Sequence, residues 1–374
     1  MELIDLSTRD FRNLSDQVFA FAEATNAILG SNGAGKTSLL EAMVVLGNLR
    51  SFRTPKLSRA VRHNQHGFRL VGTVSTGGRT HRLEQVVETG PPLSRTLRID
   101  GMTVDTGKYL HICPVFAITA QDRELITGGP EGRRSFLDRF VFLLQPTHID
   151  QLRTYRHALR QRNAALVGRS SDAEIEAWEA PLAAAAAAVI EAREKGAIVL
   201  AERFAEAWKE LSYEDIQKIS ITYRSEPWRT PFEGRKKVEV LYRQRYNETR
   251  TRDRQMGFTV DGPHRHDLSL KTDGRSVRYV LSSGQTKGVA AALRLASLAQ
   301  VERERNERFP VVVDDVDAEL DPTALTLLVR RLGSERQLFL SSTSEQVAKL
   351  AGPRGSCLRL ENGTCVSQEV RTDV

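Results

Sequence analysis

The first third of the chain alternates short apolar runs with glycine-containing turns. Residues 68–74, 81–87 and 95–99 alternate apolar with polar positions or are rich in β-branched side chains, which predicts an antiparallel meander of strands. A mostly apolar run at 26–29 predicts a buried strand, and residues 36–45 predict the helix that follows it. The N-terminal region is therefore expected to consist mainly of strands.

Helical periodicity replaces this pattern after Asp122 and extends from residue 133 to about residue 211. Within it, Ser171 and Glu174 have the spacing of a capping box, and an alanine-rich run follows them. Pro181 is expected to kink or break the helix that contains it. This segment is predicted to be almost entirely helical.

Strands and helices alternate in the remainder of the chain. The predicted elements are a strand at 219–223, a helix at 235–254, a helix at 283–306, a strand at 310–314, a helix at 322–332, a strand at 337–340 and a helix at 344–350. The helical segment between the two strand-rich regions is too long to be a loop. We therefore predict an α/β lobe with a mixed sheet, made from residues 1–125 and 260–374, and an inserted, mainly helical lobe at 126–259.

Composition is that of an ordinary globular protein, with 40% hydrophobic and 27% charged residues in 374. No apolar stretch approaches the roughly 20 residues that cross a bilayer, and the N-terminus does not resemble a secretion signal. We expect a cytoplasmic protein without membrane contact. Its three cysteines form no CxxC pair and are expected to be reduced thiols. The net charge of +7 is compatible with a polyanionic partner.

A phosphate-binding loop follows the predicted strand at 26–29. The pattern G-x-x-x-x-G-K-[ST] is met by Gly30, Ser31, Asn32, Gly33, Ala34, Gly35, Lys36 and Thr37, with Ser38 next. The glycines allow backbone amides to point at phosphate groups, and the helix that follows adds its positive end. Lys36 is expected to bridge the outer phosphates, and Thr37 offers a hydroxyl to Mg²⁺.

Two carboxylates end the apolar run at 311–315, far downstream of this loop. Asp314 at the strand end is predicted to be the Mg²⁺ partner, and Asp315 is predicted to orient or deprotonate the attacking water. Adjacent carboxylates on a buried strand repel each other and lose hydration, so a purely structural core would avoid them. The loop and the acidic strand together predict a site for ATP and Mg²⁺.

A third candidate segment is Ser283-Gly284-Gln285, at the start of the long predicted helix. Small residues there expose backbone amides to an anion. The segment is a weak signal alone, but it becomes specific because it lies about 30 residues before the acidic strand.

The order of these segments resembles the ABC-type P-loop ATPases of the SMC and RecF group. In that group the Ser-Gly-Gln signature of one subunit caps the γ-phosphate held by the other, so Ser283, Gly284 and Gln285 are expected to contact the partner's nucleotide. The resemblance also implies a D-loop at 318–321, a Q-loop residue at Gln121, and a switch residue at Ser342 or Thr343. It implies a catalytic set of Lys36, Gln121 and Asp315.

Further segments resemble the RecF family of replication and repair proteins in particular. They are Phe11-Arg12-Asn13-Leu14, Arg50-Ser51-Phe52-Arg53-Thr54, Gly132 to Asp138, Gln161 to Leu166, Gly262-Pro263-His264-Arg265 and Asp314 to Asp321. The resemblance implies that Arg12 contacts the nucleotide. It also implies an ATP-dependent homodimer that binds double-stranded and gapped DNA and releases on hydrolysis, acting with RecR and RecO to load RecA at gaps, as part of the SOS response.

The chain departs from the family pattern at four positions. Gln121 replaces a glutamate, His266 an acidic residue, Asp317 an apolar residue and Lys287 an arginine. None of these removes a predicted nucleotide ligand, but Gln121 and Asp317 could change how hydrolysis is coupled to DNA or partners.

Arginines are concentrated in the first helices of the predicted insertion, and the DNA-binding candidates are Arg133, Arg134, Arg153 and Arg156. Contacts from such residues to phosphates would give sequence-independent, salt-dependent binding. The alternative is a solvated charged helix face. His264 and His266 could suggest a metal, but further ligands at suitable spacing are missing, and a loop that supports the nucleotide or the dimer is favoured.

Three other functions fit the sequence less well. A transporter-energising ABC subunit would place about 100 residues between loop and signature, whereas this chain has about 250. A chromosome organiser of the SMC kind would need a long heptad arm. A scaffold that binds ATP without hydrolysing it is disfavoured by Lys36, Asp314 and Asp315.

Overall fold

The computed structural model describes residues 1–168, 170–210, 218–225, 234–316, 329, 332–333 and 335–370. The chain divides into two compact units. Unit 1 comprises Met1–Asp122 and Arg305–Val374, and unit 2 comprises Arg123–Glu304. The predicted class, a mixed α/β fold with an inserted helical region, is confirmed.

Unit 1 contains a six-stranded sheet in the order β15-β14-β3-β13-β12-β8. Its strands are β3 (Thr25–Leu29), β8 (Phe116–Ile118), β12 (Val311–Val313), β13 (Leu338–Ser342), β14 (Ser356–Glu361) and β15 (Thr364–Val370). All neighbours pair in parallel except β14 and β15. The carboxyl ends of β3, β12 and β13 therefore meet at one edge, where a ligand can bind.

A second, antiparallel sheet in unit 1 has the order β2-β1-β4-β5-β6-β7. Its strands are β1 (Glu2–Arg9), β2 (Gln17–Ala20), β4 (Gly67–Thr76), β5 (Arg79–Glu88), β6 (Ser94–Ile99) and β7 (Met102–Thr103). The predicted meander corresponds to β4, β5 and β6 and is confirmed. Asp100 and Gly101 form the turn between β6 and β7 with positive φ angles of 51° and 81°.

Helix α1 (Lys36–Asn48) contacts strands of both sheets, namely β13 of the first and β4 and β5 of the second. This position explains why the helix is apolar on nearly all sides, since a helix between two layers has no broad solvent face. Helix α2 (Thr106–Ile112) contacts α1 and β6. Short 3₁₀ segments occur at Leu57–Ala60, Ala120–Arg123 and Glu345–Ala351, the last at the position of a predicted helix.

Unit 2 is mainly helical. Its helices are α3 (Glu124–Thr127), α4 (Pro130–Leu144), α5 (His148–Val167), α6 (Asp172–Glu210), α7 (Arg235–Met256), α8 (Val277–Val280) and α9 (Ser283–Arg305). A three-stranded sheet joins them, formed by β9 (Ile219–Arg224), β10 (Asp267–Thr272) and β11 (Arg275–Ser276). The second boundary between units lies at 304/305, so residues 260–304 belong by contacts to unit 2. Their assignment to the ATPase lobe stays a prediction about function.

The sequence predicted two local features of α6, a capping box at its start and an effect of Pro181 within it. The capping box is present, because Ser171 N–H donates to Glu174 Oε2 at 2.8 Å and Glu174 N–H donates to Ser171 Oγ at 3.3 Å. Pro181 lies inside α6, which continues through it, so the helix does not break there, and the alternative expectation of a kink stays a prediction. Contacts with α4, α5, α7 and β9 hold the helix, and such packing outweighs the lost hydrogen bond.

Buried arginines join the helices of unit 2. Arg162 of α5 is fully buried and donates to Asp253 at 2.7 Å and to Glu179 at 3.1 Å. Arg193 of α6 forms a bidentate pair with Asp138 of α4, at 2.7 and 2.9 Å. Such fork-to-fork pairs fix the side-chain geometry as well as the charge.

Candidate nucleotide-binding site

The phosphate-binding loop connects β3 to α1 and depends on glycine for its shape. Gly30 and Gly35 have φ angles of +152° and +107°, in the region that favours glycine. A Cβ atom on Gly30 would lie 2.4 Å from the carbonyl oxygen of Leu360. The loop can therefore run this close to β14 only with glycine at position 30.

Lys36 is nearly buried at the start of α1, with 8% of its surface exposed. Its Nζ donates to the carbonyl oxygens of Gly30 at 2.7 Å and Ser31 at 3.0 Å. These bonds hold the ammonium group inside the loop. An ammonium at this position can bind the oxygens of a phosphate chain.

The acidic pair ends β12 at the same edge of the sheet. Thr37 Oγ1 donates to Asp314 Oδ1 at 3.0 Å, so the loop and the acidic strand meet as predicted. Burial is the main cause that raises the pKa of Asp314, and the charge of Asp315 adds to it, while the hydrogen bonds from Ser341 and Thr37 act in the opposite direction. A nearby cation would favour the charged form of this carboxyl.

A cavity of about 310 Å³ in unit 1 is bordered by the phosphate-binding loop and by Asp315. Its lining residues are Asn13, Asn32, Gly33, Gly35, Lys36, Thr37, Ser38, Arg53, Asp315 and Ser341. Three of them, Asn13, Arg53 and Ser341, were not predicted as site residues. Two were within reach of sequence analysis, because Asn13 and Arg53 lie in segments that resemble the RecF family.

Asn13 attaches the N-terminal segment to the loop. Its Nδ2 donates to the carbonyl oxygen of Gly33 at 3.0 Å, and its Oδ1 accepts from Ser38 Oγ at 2.7 Å. The amide therefore connects the middle of the loop to the residue that follows it and supports the conformation of the loop.

Glu41 accepts hydrogen bonds from two arginines beside the cavity. It too was not predicted as a site residue from the sequence. It is fully buried in α1, and it accepts from Arg12 Nε at 2.9 Å, Arg12 Nη2 at 2.7 Å and Arg53 Nη1 at 3.3 Å. Ser51 Oγ also donates to it. Arg12 lies outside the set of cavity-lining residues, whereas Arg53 belongs to it, so the nucleotide contact of Arg12 stays a prediction. The sequence feature that could have indicated a role for Glu41 is its position as a carboxylate within an otherwise apolar predicted helix.

Gln121 is exposed in the 3₁₀ segment that follows β8. The neighbouring Asp122 is buried and accepts the backbone N–H of Thr119 at 2.9 Å. Gln121 is not among the residues that line the cavity, and its catalytic role stays a prediction. Asp317 and the D-loop segment at 318–321 lie outside the described residues.

The signature segment begins α9 in unit 2. Ser282 and Gln285 form a capping box, in which Ser282 N–H donates to Gln285 Oε1 at 2.8 Å and Gln285 N–H donates to Ser282 Oγ at 3.2 Å. Ser283 and Gly284 are exposed between them. The cap therefore uses Gln285 itself and leaves Ser283 and Gly284 at the surface of the helix start.

The four DNA-binding candidates differ in their environment. Arg133 forms a bidentate pair with Asp267 at 2.8 and 2.9 Å, and Arg134 donates to the carbonyl oxygen of His266 at 2.7 Å. Arg153 and Arg156 are exposed on α5. Arg153 pairs with the exposed Asp150 at 3.0 Å, a type of contact that contributes little. The second pair of arginines is thus the more available to a polyanion.

The histidines of the 262–266 loop are buried and hydrogen-bonded. His266 lies between the hydroxyls of Tyr223 and Tyr242, at 2.7 and 2.9 Å. His264 contacts the hydroxyl of Tyr155 and the carbonyl oxygen of Thr259. Burial is the main cause that lowers the pKa of His264 to about 4 and that of His266 to about 3. Within the part of the chain that the structure describes, no cluster of three or more metal-ligating side chains occurs.

Comparison with known proteins finds a matching family model and relatives that belong to the same family. A family model described as the RecF/RecN/SMC N terminal domain matches residues 2–364. The DNA replication and repair protein RecF of Anaeromyxobacter sp. (strain Fw109-5) is 32% identical over 366 residues, which cover 97% of this chain and 98% of that protein. RecF of Pectobacterium atrosepticum is 32% identical over 371 residues, with 98% and 99% covered.

Solved structures that are similar to this chain include a RecF protein and an Smc head domain. A structure of the recombination mediator protein RecF-ATPrS in the RecFOR pathway has a TM-score of 0.87 and 26% identity to this chain, and 98% of each chain is covered. A head domain of Smc bound to the C-terminal winged-helix domain of ScpA has a TM-score of 0.54 and 13% identity, with 99% of this chain and 98% of that chain covered, and this likeness concerns the fold alone. Among the described helices, none is both long and apolar enough to cross a bilayer.

Proposed function

The chain belongs to the RecF/RecN/SMC N-terminal domain family and is an ABC-type ATPase, and on this premise we propose that it is an ATP-dependent DNA-binding protein of replication and recombinational repair. In this proposal ATP drives homodimerisation on DNA at junctions between single and double strands. Hydrolysis is slow, is stimulated by DNA, and releases the protein. RecR and RecO are the proposed partners in loading RecA at gaps.

The observation that carries the proposal is the convergence of Lys36, Thr37 and Asp314 at one sheet edge. Lys36 provides a positive charge inside a loop of backbone amides, and this arrangement suits a triphosphate. The hydroxyl of Thr37 and the carboxylate of Asp314 are the oxygen donors that Mg²⁺ prefers. When bound, Mg²⁺ would neutralise charge on the phosphate oxygens.

Asp315 is the proposed group that orients or deprotonates the attacking water. It lines the same cavity as Lys36 and Thr37, and this shared cavity supports the assignment. Removing this carboxylate should therefore reduce hydrolysis more than nucleotide binding.

The dimer is proposed from the signature segment. Ser283 and Gly284 are exposed at the start of a 23-residue helix, and a helix start carries free amides and a positive dipole end. Phosphates held by one subunit can bind there on a second subunit, so ATP would favour the dimer through this contact.

DNA binding is proposed from charge and from the relatives. The net charge is +7, Arg153 and Arg156 are exposed on α5, and the relatives are named as DNA replication and repair proteins. Contacts between arginine and phosphate would make binding insensitive to sequence and sensitive to salt.

The direct test of the switch is ATP-dependent dimerisation, measured by light scattering with and without ATP. Ser283→Arg should abolish the dimer and leave ATP binding intact, because the arginine obstructs only the surface offered to the second subunit. A matched control is Ser220→Arg, an exposed serine of β9. A dimer that survives Ser283→Arg would contradict the proposed mode of assembly.

A further inference from the structure

Ser341 contacts both residues of the acidic pair, although it belongs to the neighbouring strand β13. Its Oγ donates to Asp314 Oδ1 at 2.7 Å and accepts the backbone N–H of Asp315 at 2.8 Å. Ser341 is one of the residues that line the cavity beside the phosphate-binding loop, yet it is only 1% exposed. Ser341 is therefore a buried link between the metal-ligand candidate and the water-orienting candidate.

The bond to Asp315 supports an unusual backbone conformation. Asp315 has a φ of +52°, in the left-handed region that L-residues rarely adopt. Such a conformation persists where the surroundings hold it, and the hydroxyl of Ser341 holds the N–H of this residue. The direction of the Asp315 side chain follows from that backbone.

The hydrogen bond to Asp314 constrains the carboxylate of that residue. Thr37 Oγ1 and Ser341 Oγ both donate to the same oxygen, Oδ1, at 3.0 and 2.7 Å. Two donors on one oxygen fix the rotation of the carboxylate, as partners of metal ligands generally do.

We propose that Ser341 is a positioning residue for ATP hydrolysis, which holds the carboxylate of Asp314 and the backbone of Asp315 in their working orientations. The inference rests on the proposed ATPase function. It predicts that loss of the hydroxyl slows turnover and raises the Mg²⁺ requirement, while ATP still binds through Lys36 and the loop amides.

Ser356 provides a matched control in the same sheet. It is fully buried in β14, and its Oγ donates to Asn26 Oδ1 at 2.6 Å. It is not among the residues that line the cavity. Ser356→Ala therefore removes a buried, hydrogen-bonded serine hydroxyl without touching the acidic pair.

The test compares wild type, Ser341→Ala, Ser341→Thr and Ser356→Ala. The measurements are kcat, KM, the Mg²⁺ concentration for half-maximal turnover, and equilibrium binding of a fluorescent ATP analogue. Ser341→Ala should lower kcat about 10- to 100-fold, as expected for a residue that supports a metal ligand, and should raise the Mg²⁺ midpoint with unchanged ATP affinity. Ser341→Thr keeps the hydroxyl and should restore most of the turnover. Ser356→Ala should keep the kcat of the wild type.

Two results would overturn the inference: a kcat of Ser341→Ala equal to that of Ser356→Ala, or equal turnover by the alanine and threonine variants. If Ser341→Ala fails to fold, Ser341→Thr is compared with Ser341→Cys, since a thiol is a weak donor, and equal rates again overturn it. Absence of turnover in the wild type would instead refute the proposed ATPase function, so the two failures are distinguishable.

Discussion

Thr37 and Asp314 are 277 positions apart in the chain, and the hydroxyl of the first donates to the carboxylate of the second at 3.0 Å. The contact exists because β3 and β12 run parallel on either side of β13, so that their carboxyl ends reach the same edge. It joins a phosphate-binding loop to a metal-ligand candidate within unit 1.

Lys36 should dominate nucleotide affinity. Lys36→Ala removes a charged donor, and hydrogen bonds to charged groups contribute about 1.5–3 kcal/mol, which corresponds to about 10- to 100-fold weaker ATP binding. Titration with a fluorescent ATP analogue measures this. The control is Lys108→Ala, an exposed lysine of α2, which should bind as the wild type does. Equal affinities of the two variants would contradict the assigned role.

Glu41 should stabilise unit 1 through Arg12 and Arg53. Glu41→Gln removes the charge that both guanidinium groups contact, and the expected loss in free energy of unfolding is about 1.5–3 kcal/mol. Urea unfolding followed by circular dichroism checks the value. Glu345→Gln is the control, because Glu345 forms a surface ion pair with Arg359 and such pairs contribute little to stability. A stability of Glu41→Gln within the range of the control would refute this.

Stability should fall in weak acid because of His264 and His266. Their pKa values are lowered from 6.5 to about 4 and about 3, so between these values and pH 6.5 the unfolded chain binds more protons than the folded one. The free energy of unfolding then rises with pH through this window and levels off above it, by up to about 1.4 kcal/mol per pH unit for each histidine.

The variant His266→Gln isolates this effect. It should flatten the dependence of urea midpoint on pH between 4.5 and 6.5, the part of the histidine window that lies above the ordinary carboxylate range. The exposed His63→Gln should leave the dependence unchanged. A slope in His266→Gln equal to that of the wild type would show that this histidine does not titrate on unfolding.

Arg153 and Arg156 should contact DNA more than Arg133 does. Replacing either exposed arginine by alanine should weaken binding and reduce the slope of log affinity against log salt by about 1. Arg133→Ala should mainly lower stability, since Arg133 is paired with Asp267. Fluorescence anisotropy at several salt concentrations measures the slopes. Unchanged slopes for both exposed positions would favour a solvated helix face.

The parts of the site that could be predicted are those whose functional side chains lie within one short sequence motif or directly after a predicted strand. Lys36 and Thr37 follow a predicted strand within one motif, and Asp314 follows another, so their meeting needed only parallel strands. Ser341 could not be assigned, because a serine near a strand end has no distinguishing sequence feature. Its role depends on β13 lying beside β12, and the order of strands in a sheet is not contained in local periodicity.

The environment of a charged residue was harder to predict from the sequence than the burial of an apolar one. Arg133 and Arg153 are equivalent in a helical pattern, yet the first pairs with a carboxylate 134 positions away and the second is exposed. The continuation of α6 through Pro181 has the same cause, since packing against other elements outweighs the local preference. Long-range contacts therefore decide what local patterns leave open.

The most direct test of the proposed function is ATP turnover by the purified protein, alone and with duplex DNA that carries a single-stranded gap. We predict slow turnover that gapped DNA stimulates and that Asp315→Asn abolishes, while the variant still binds ATP. Turnover that is indifferent to DNA would contradict the coupling between the nucleotide site and DNA. Turnover that survives in Asp315→Asn would contradict the role of the acidic pair.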